Sequence, residues 1–105
     1  MPLTREFKDT VQARAQTEPA FRDALLVEAV ECLLSGDVET GKAMLRHYIN
    51  AAIGFDQLGA LTSKPPKSLM RMFSPTGNPQ AGNMFDVLSQ IQSHECTQLE
   101  VKVVR

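Results

Sequence analysis

The chain has 105 residues, of which 43% are hydrophobic and 22% are charged, and a formal net charge of −1. These values are typical of one soluble domain that is short for a multi-step enzyme, and no apolar run reaches membrane-span length or resembles a signal segment. Two cysteines, Cys32 and Cys96, are too few for a disulfide framework, and they are not spaced as zinc ligands. We therefore expect a cytoplasmic domain, since no signal segment is seen, and one that holds no metal or cofactor.

Charge is distributed unevenly along the chain. Residues 1–56 contain nine acids and six bases, whereas residues 57–85 contain Lys64, Lys67 and Arg71 and no acid. A local segment of charge +3 can meet phosphate groups although the whole chain is slightly acidic.

The N-terminal third of the chain predicts two helices. Residues 4–17 place Leu3, Phe7 and Val11 four apart, and Thr4 is the expected N-cap of this peripheral helix. A second helix starts at Pro19 and ends before Gly36. Its apolar face is wide, which predicts a central position in the core; the positions are Phe21, Leu25, Leu26, Ala29, Val30, Cys32, Leu33 and Leu34.

A third helix is predicted over residues 38–53, with Asp37 as its N-cap and Gly54 as its end. Lys42 and Arg46 are expected outside its buried face. That face is formed by Leu45, Tyr48, Ile49, Ala52 and Ile53.

Two short helices follow, over residues 55–61 and 66–73, joined by a turn at residues 62–64. Gly59 is small enough for the two helices to approach closely. At 100° per residue, Leu69, Met72 and Phe73 share one side of the second helix, and Lys67 and Arg71 lie nearly opposite. A steep crossing of two such helices is a helix-turn-helix, whose second helix enters the major groove of DNA.

The last predicted helix runs from Asn78-Pro79 to about residue 92, and a strand is predicted over residues 99–104. The helix's expected core face is Ala81, Met84, Phe85, Leu88 and Ile91. An unpaired strand edge invites pairing with a second copy. The predicted dimer contacts are therefore Leu99, Val101 and Val103, with Phe85 and Leu88 on the last helix.

Residues 45–101 resemble the helix-turn-helix antitoxins of the addiction-module antidote family, which belong to the Cro/C1-type, lambda-repressor-like class. The matching segments are 48–51, 54–55, 58–59, 67–73, 74–79, 84–88 and 99–101. The Gly-Asn-Pro sequence at 77–79 after the second short helix, with a closing Leu-x-Val, is the most specific combination. Phe55 departs from a frequent phosphate-contacting Gln, Thr62 and Lys64 from frequent apolar residues, and Ser63 from a frequent Gly.

The pattern of elements predicts an all-α bundle of five to six helices with a short C-terminal strand, and the resemblance implies a lambda-repressor-like fold and a small dimeric repressor. It would bind a palindromic operator and silence a RelE/ParE-like toxin. Base reading falls on Lys67, Ser68, Met70 and Arg71, and phosphate positioning on Thr62, Lys64, Ser74 and Asn78, with Pro66 presetting the helix start. We expect residues 1–36 to form N-terminal helices that pack on the bundle, residues 37–95 to form the DNA-binding core, with the helix-turn-helix at about 55–73, and residues 96–105 to form a dimerisation strand.

Three interpretations remain open from the sequence. One is a DNA-binding repressor that also acts as an antitoxin. Another is a protein-interaction module with no DNA role, in which Lys67 and Arg71 are ordinary surface cations and the first helix and the acidic N-terminal half bind a basic partner. A helix-turn-helix regulator without a toxin partner is also open. None of them predicts an enzyme, because no serine, histidine and acid form a nucleophilic arrangement.

Overall fold

Six α-helices and no strand make up the part of the chain that the computed structural model describes, namely the backbone of residues 5–105 and the side chains of residues 10–105. The all-α prediction is confirmed. The helices are α1 (Arg5–Thr17), α2 (Pro19–Leu34), α3 (Val38–Ala52), α4 (Phe55–Thr62), α5 (Pro66–Met72) and α6 (Ala81–His94). The expected N-cap Thr4, and the contacts expected of Leu3 and Phe7, lie outside the described residues.

Helix ends follow from local sequence at most positions. Pro19 occupies the first turn of α2, where its missing N–H leaves no bond unmade. Asp37 caps α3, its carboxylate accepting the Thr40 N–H at 3.3 Å. Gly36 and Gly54 separate α2 from α3 and α3 from α4. These predictions are confirmed.

The start of α6 differs from the prediction. Gln80 is its N-cap and Ala81 its first residue, so Asn78 and Pro79 precede the helix. The physical reason is that residues 74–77 fold back onto α5, which leaves Asn78 and Pro79 beside α5 as part of the returning loop.

The core lies where two groups of helices meet. Helices α1, α2 and α3 pack against one another, and α4 contacts α3, α5 and α6. The central apolar side chains are at most 8% exposed; they include Leu25, Leu26, Ala29, Leu45, Tyr48, Ile49, Phe55, Leu58, Leu69, Phe73, Met84, Val87, Leu88 and Ile91. Helix α4 therefore connects the N-terminal helices to α5 and α6.

Several predicted side-chain positions are wrong. Ala81, expected on the core face of α6, is exposed because it is the first residue of that helix and lies about 120° from Val87 around the helix axis. Leu34 is 70% exposed at the end of α2, and Phe85 is 66% exposed on α6. The buried face of α6 is formed by Met84, Val87, Leu88 and Ile91, and at 100° per residue Phe85 lies about 160° from Val87, on nearly the opposite side of the helix. Lys42, expected outside the core, is 2% exposed.

The C-terminal residues 97–105 form neither helix nor strand. Leu99 packs against the core, whereas Val101, Val103 and Val104 are exposed. The predicted strand depends on a second copy for its hydrogen bonds, so it stays a prediction. Within the part of the chain that the structure describes, no helix combines the length and apolar character needed to cross a membrane.

The pKa values of Tyr48 and Cys32 are raised in the folded chain. Burial, with Glu95 close by, raises the pKa of Tyr48 far above its usual range, and the hydroxyl donates a long hydrogen bond of 3.4 Å to Glu95 Oε1. The Arg22 guanidinium Nε lies 3.5 Å from the same carboxylate oxygen, so α2, α3 and the end of α6 meet there. Desolvation, and then the carboxylates of Asp37, Glu28 and Glu31, raises the pKa of Cys32, which favours its neutral thiol.

Candidate nucleic-acid interface

Helices α4 and α5 form a corner closed by the three residues 63–65. Ser63 adopts the left-handed conformation, with φ 56° and ψ 37°. The Lys64 N–H then donates to the Gly59 carbonyl at 3.0 Å, and the Thr62 hydroxyl donates to the Leu58 carbonyl at 2.8 Å. These bonds satisfy carbonyls at the end of α4 and fix where α5 begins.

Gly59 permits the close approach of the two helices. A Cβ atom at this position would lie 2.7 Å from the Lys64 carbonyl oxygen and 3.2 Å from Pro66 Cγ. Real Cβ atoms do not approach backbone oxygen so closely, so any larger residue would push the turn away from α4. The predicted role of Gly59 is confirmed.

Helix α5 has one buried and one exposed face. Leu69 and Phe73 are at most 1% exposed, and the Phe73 ring lies 6.3 Å from that of Phe55 at the start of α4. Met72 is half-buried. The opposite face is exposed and carries Lys67, Ser68, Met70 and Arg71. The predicted two-faced helix is confirmed.

Two cationic side chains of α3 donate hydrogen bonds to the C-terminal end of α5 and to the loop of residues 74–77 that follows it. The Lys42 Nζ donates to the carbonyls of Ser74 at 3.1 Å and Gly77 at 2.7 Å, and lies 3.1 Å from Glu39 Oε1. Arg46 Nη1 donates to the Phe73 carbonyl at 3.3 Å. The three carbonyls thus gain charged donors, which form stronger hydrogen bonds than neutral ones.

We call the hydrogen bonds of Lys42 and Arg46 to these carbonyls the clamp. The sequence analysis did not predict it, although the position of Lys42 in α3 indicated that its side chain is buried. Lys42 lies three residues before Leu45 and seven before Ile49, which places it on the buried stripe of α3. The prediction followed the residue type rather than the position. Its correction is that Lys42 is buried and Arg46 is half-buried.

The loop after α5 is packed tightly against that helix. A Cβ atom on Gly77 would overlap the Arg71 carbonyl oxygen, so only glycine fits there. The Ser74 hydroxyl donates to the same carbonyl at 2.7 Å. A shallow depression of about 290 Å³ remains between α5 and the loop; it is lined by Ser68, Arg71, Met72, Thr76, Gly77, Asn78 and Pro79. It brings the exposed side of α5 next to Asn78.

The residues expected to position phosphates have different surroundings. Thr62 and Ser74 are half-buried, and their hydroxyls donate to the carbonyls of Leu58 and Arg71, at the ends of α4 and α5 respectively. Lys64 Nζ lies 3.3 Å from Asp86 Oδ2 on α6. Asn78 is exposed, whereas Pro66 is half-buried at the start of α5. Asn78 is therefore the exposed polar side chain of this set, whereas the Lys64 ammonium is shared with Asp86.

Comparison of the chain with models of protein families, with curated protein sequences and with solved structures finds no match. The chemistry of the exposed face of α5 must therefore be judged from the face itself.

The exposed face is cationic. Among the described residues, neither Lys67 nor Arg71 forms an ion pair, whereas Lys64 is paired with Asp86. The described residues contain no group of His, Cys, Asp or Glu that could hold a metal ion. A guanidinium, an ammonium, a hydroxyl and a thioether on one short helix suit hydrogen bonding and apolar contact with base edges.

The predicted dimer residues divide into covered and open side chains. Leu88 is 7% exposed and belongs to the core of the single chain. Leu99 is half-buried. Phe85, Val101 and Val103 are between 66% and 82% exposed. Of the predicted dimer residues, the exposed ones are therefore Phe85 on α6 and Val101 and Val103 in the C-terminal segment.

Proposed function

We propose that this chain is a sequence-specific, double-stranded-DNA-binding repressor of the lambda-repressor-like helix-turn-helix class. In this proposal α4 and α5 are the helix-turn-helix, and α5 lies in the major groove. The observation that carries the proposal is the cationic face of α5, with Lys67 and Arg71 exposed above the buried Leu69 and Phe73. The packing of Leu69 and Phe73 in the core, on the opposite side of α5, fixes the orientation of the cationic face.

Each exposed side chain of α5 has a role in the proposal. Arg71 can donate two parallel hydrogen bonds to a guanine edge, and Lys67 can donate to guanine or phosphate. Ser68 can donate or accept, and the Met70 thioether can contact a thymine methyl group. Asn78, which lines the same depression as Ser68 and Arg71, contacts a phosphate of the DNA backbone in this proposal.

The charge of one copy requires the protein to act as a dimer. Three cations per copy give about six phosphate or base contacts in a dimer, and a slope of log affinity against log salt of about −5. One copy alone would have a slope of about −3 and would bind poorly at physiological salt. Two recognition helices about 34 Å apart would read a palindromic operator.

The second part of the proposal is that the repressor acts as the antitoxin of a type II module. Support comes from the resemblance of residues 45–101 and from the acidic balance of residues 1–56, which suits a basic RelE/ParE-like toxin. Toxin binding would leave α5 free, because the excess of acids lies outside residues 57–85.

A mobility-shift assay with the DNA upstream of the gene tests the DNA-binding part. Arg71→Ala should lower the affinity at least tenfold, since each bidentate base contact contributes about 1–3 kcal/mol and both copies lose one. Arg14→Ala, which removes an exposed cation of α1 outside both α5 and the C-terminal segment, is the matched control and should bind as the wild type does. An unchanged shift with Arg71→Ala would remove α5 from the proposed reading surface.

A pull-down with the product of the neighbouring gene tests the antitoxin part. Recovery of a basic partner of about one hundred residues would support it. Recovery of that partner together with no DNA affinity at low salt would instead favour a protein-interaction module. DNA binding without any toxin partner would leave a helix-turn-helix regulator.

A further inference from the structure

The last residues of the chain present apolar and charged groups that are unpaired within one copy. Val101, Val103 and Val104 are 79%, 82% and 87% exposed. Among the described residues, the backbone of residues 100–105 makes no hydrogen bond. Glu100 and Lys102, which alternate with the valines, form no ion pair in the described part of the chain.

One end of this segment is fixed to the body of the protein. The Leu99 N–H donates to Gln92 Oε1 at 2.8 Å, and the Leu99 side chain packs on the core. Beyond it, a groove of about 270 Å³ separates residues 98–102 from the outer side of α2. Its α2 wall consists of Val27, Val30, Glu31 and Leu34, of which Val27 and Leu34 are 44% and 70% exposed.

We propose that the same segment of a second copy pairs with this one, antiparallel and centred on Val101. In this register Glu100 lies opposite Lys102 of the partner subunit, and Leu99 lies opposite the partner's Val103. The symmetry repeats both pairs, so two attractive charge pairs flank a row of apolar pairs. A parallel arrangement in register would place like charges side by side, and a register centred on residue 100 or 102 would place a charged residue opposite its own copy.

Hydrogen bonding supports the same register. Alternate residues of an extended segment direct their N–H and C=O groups to opposite edges, and the Leu99 N–H is directed to Gln92. The groups of Glu100 and Lys102 then face the free edge and form hydrogen-bonded pairs with the partner. Val101 becomes a non-hydrogen-bonded pair with its Cα atoms about 4.5 Å apart.

The groove along α2 gives this pairing an apolar floor. Leu99, Val101 and Val103 share one face of the extended segment, and Leu99 shows that this face is directed toward α2 and the core. The partner's Val103, next to Leu99, would therefore cover Val27 and Val30. Burial of these exposed side chains provides an association free energy that the charge pairs alone would not.

This inference deepens the proposed function by naming the contact that supplies two α5 helices to one operator. It is tested without DNA, so its failure and a failure of DNA binding are distinguishable. Charge reversal is the first experiment. Glu100→Lys and Lys102→Glu should each raise the dimer dissociation constant about tenfold in sedimentation equilibrium, because each replaces two attractive pairs by repulsive ones.

The double variant Glu100→Lys/Lys102→Glu is the matched control. It restores opposite charges in the proposed register and should return the dissociation constant to within about threefold of the wild type. A double variant as weak as either single variant, or single variants that dimerise normally, would overturn the register. A wild-type chain that sediments as a monomer would overturn the pairing itself.

Cysteine cross-linking locates the two-fold axis independently. In a background of Cys32→Ala and Cys96→Ser, Val101→Cys should form an intermolecular disulfide under mild oxidation, because its Cα atoms lie within disulfide range. Lys102→Cys, one residue away, should cross-link far more slowly because its counterpart lies opposite residue 100. Equal cross-linking of the two variants on a non-reducing gel would contradict an axis at Val101.

Discussion

The Lys42 ammonium replaces its lost hydration with two carbonyl oxygens and one carboxylate, those of Ser74, Gly77 and Glu39. A buried charge is tolerated only with such partners. The arrangement also serves α5, because both carbonyls belong to the loop that lies beside the exposed Arg71. Lys42 is thus a positioning residue for the proposed reading face, although it does not belong to that face.

Replacement of Lys42 by Met should lower the free energy of unfolding by about 2 kcal/mol, because two buried carbonyls lose their donor while the aliphatic packing is kept. Urea denaturation followed by circular dichroism measures this change. Lys67→Met is the matched control, since the same substitution at an exposed position should alter stability by less than about 0.5 kcal/mol. Equal stability of the two variants would contradict the clamp.

Tyr48 predicts a loss of stability in alkaline solution. Its pKa in the folded chain is raised above the ordinary value near 10 by burial and by Glu95. The unfolded chain therefore releases this proton first, so the contribution of Tyr48 is complete below pH 10 and declines as the pH rises above it. Tyr48→Phe should show a shallower decline in unfolding free energy between pH 9 and pH 11 than the wild type. Parallel pH profiles of the two proteins would argue against a buried, perturbed phenol.

At the scale of elements, the corner between α4 and α5 contains a conformational cost. Ser63 has a positive φ of 56°, which costs a residue with a Cβ atom about 1 kcal/mol relative to glycine. Glycine also loses more conformational freedom on folding, which offsets part of the gain. We expect Ser63→Gly to raise the free energy of unfolding by about 0.5 kcal/mol.

Ser89→Gly is the matched control for that substitution. Ser89 is exposed within α6, where glycine disfavours the helix, so this variant should lose about 0.5 kcal/mol. Thermal and urea unfolding should therefore show changes of opposite sign: a higher free energy of unfolding than the wild type for Ser63→Gly and a lower one for Ser89→Gly. A destabilised Ser63→Gly would show that the Ser63 side chain contributes more to the corner than its backbone conformation costs.

Local signals predicted most elements of this chain. Pro19, Asp37 and Gly54 act within a few residues of themselves, so the helix ends that they specify agree with the structure. The helical repeat also separated the two faces of α5. These properties depend on covalent geometry and neighbouring residues, which the sequence contains directly.

Long-range contacts account for the errors. The start of α6 shifts to Ala81 because the loop before it packs on α5, and that loop is held by Lys42, more than thirty residues earlier. The exposure of Phe85 depends on which side of α6 meets α4. The paired state of Lys64 depends on Asp86, on another helix. None of these contacts between distant parts of the chain can be predicted from local periodicity.

At the scale of the whole molecule, the proposed DNA binding must be local, because the net charge of one chain is −1 and that of a dimer is −2. The cations of residues 57–85 act within about one Debye length, roughly 10 Å at 0.1 M salt, while the excess acids lie elsewhere in sequence. The carboxylate of Asp86 is the exception, since it lies 3.3 Å from Lys64 Nζ and competes with phosphate for it.

Asp86→Asn should therefore strengthen DNA binding. An exposed ion pair contributes at most about 1 kcal/mol, and two copies release two of them, so the affinity at 0.1 M salt should rise about tenfold. Glu28→Gln on the exposed side of α2 removes the same charge at a distance and should change the affinity less than twofold. In a Lys64→Ala background the gain from Asp86→Asn should largely disappear, which a double-mutant cycle measures. An equal gain in both backgrounds would mean that Asp86 repels DNA directly and that Lys64 takes no part in binding.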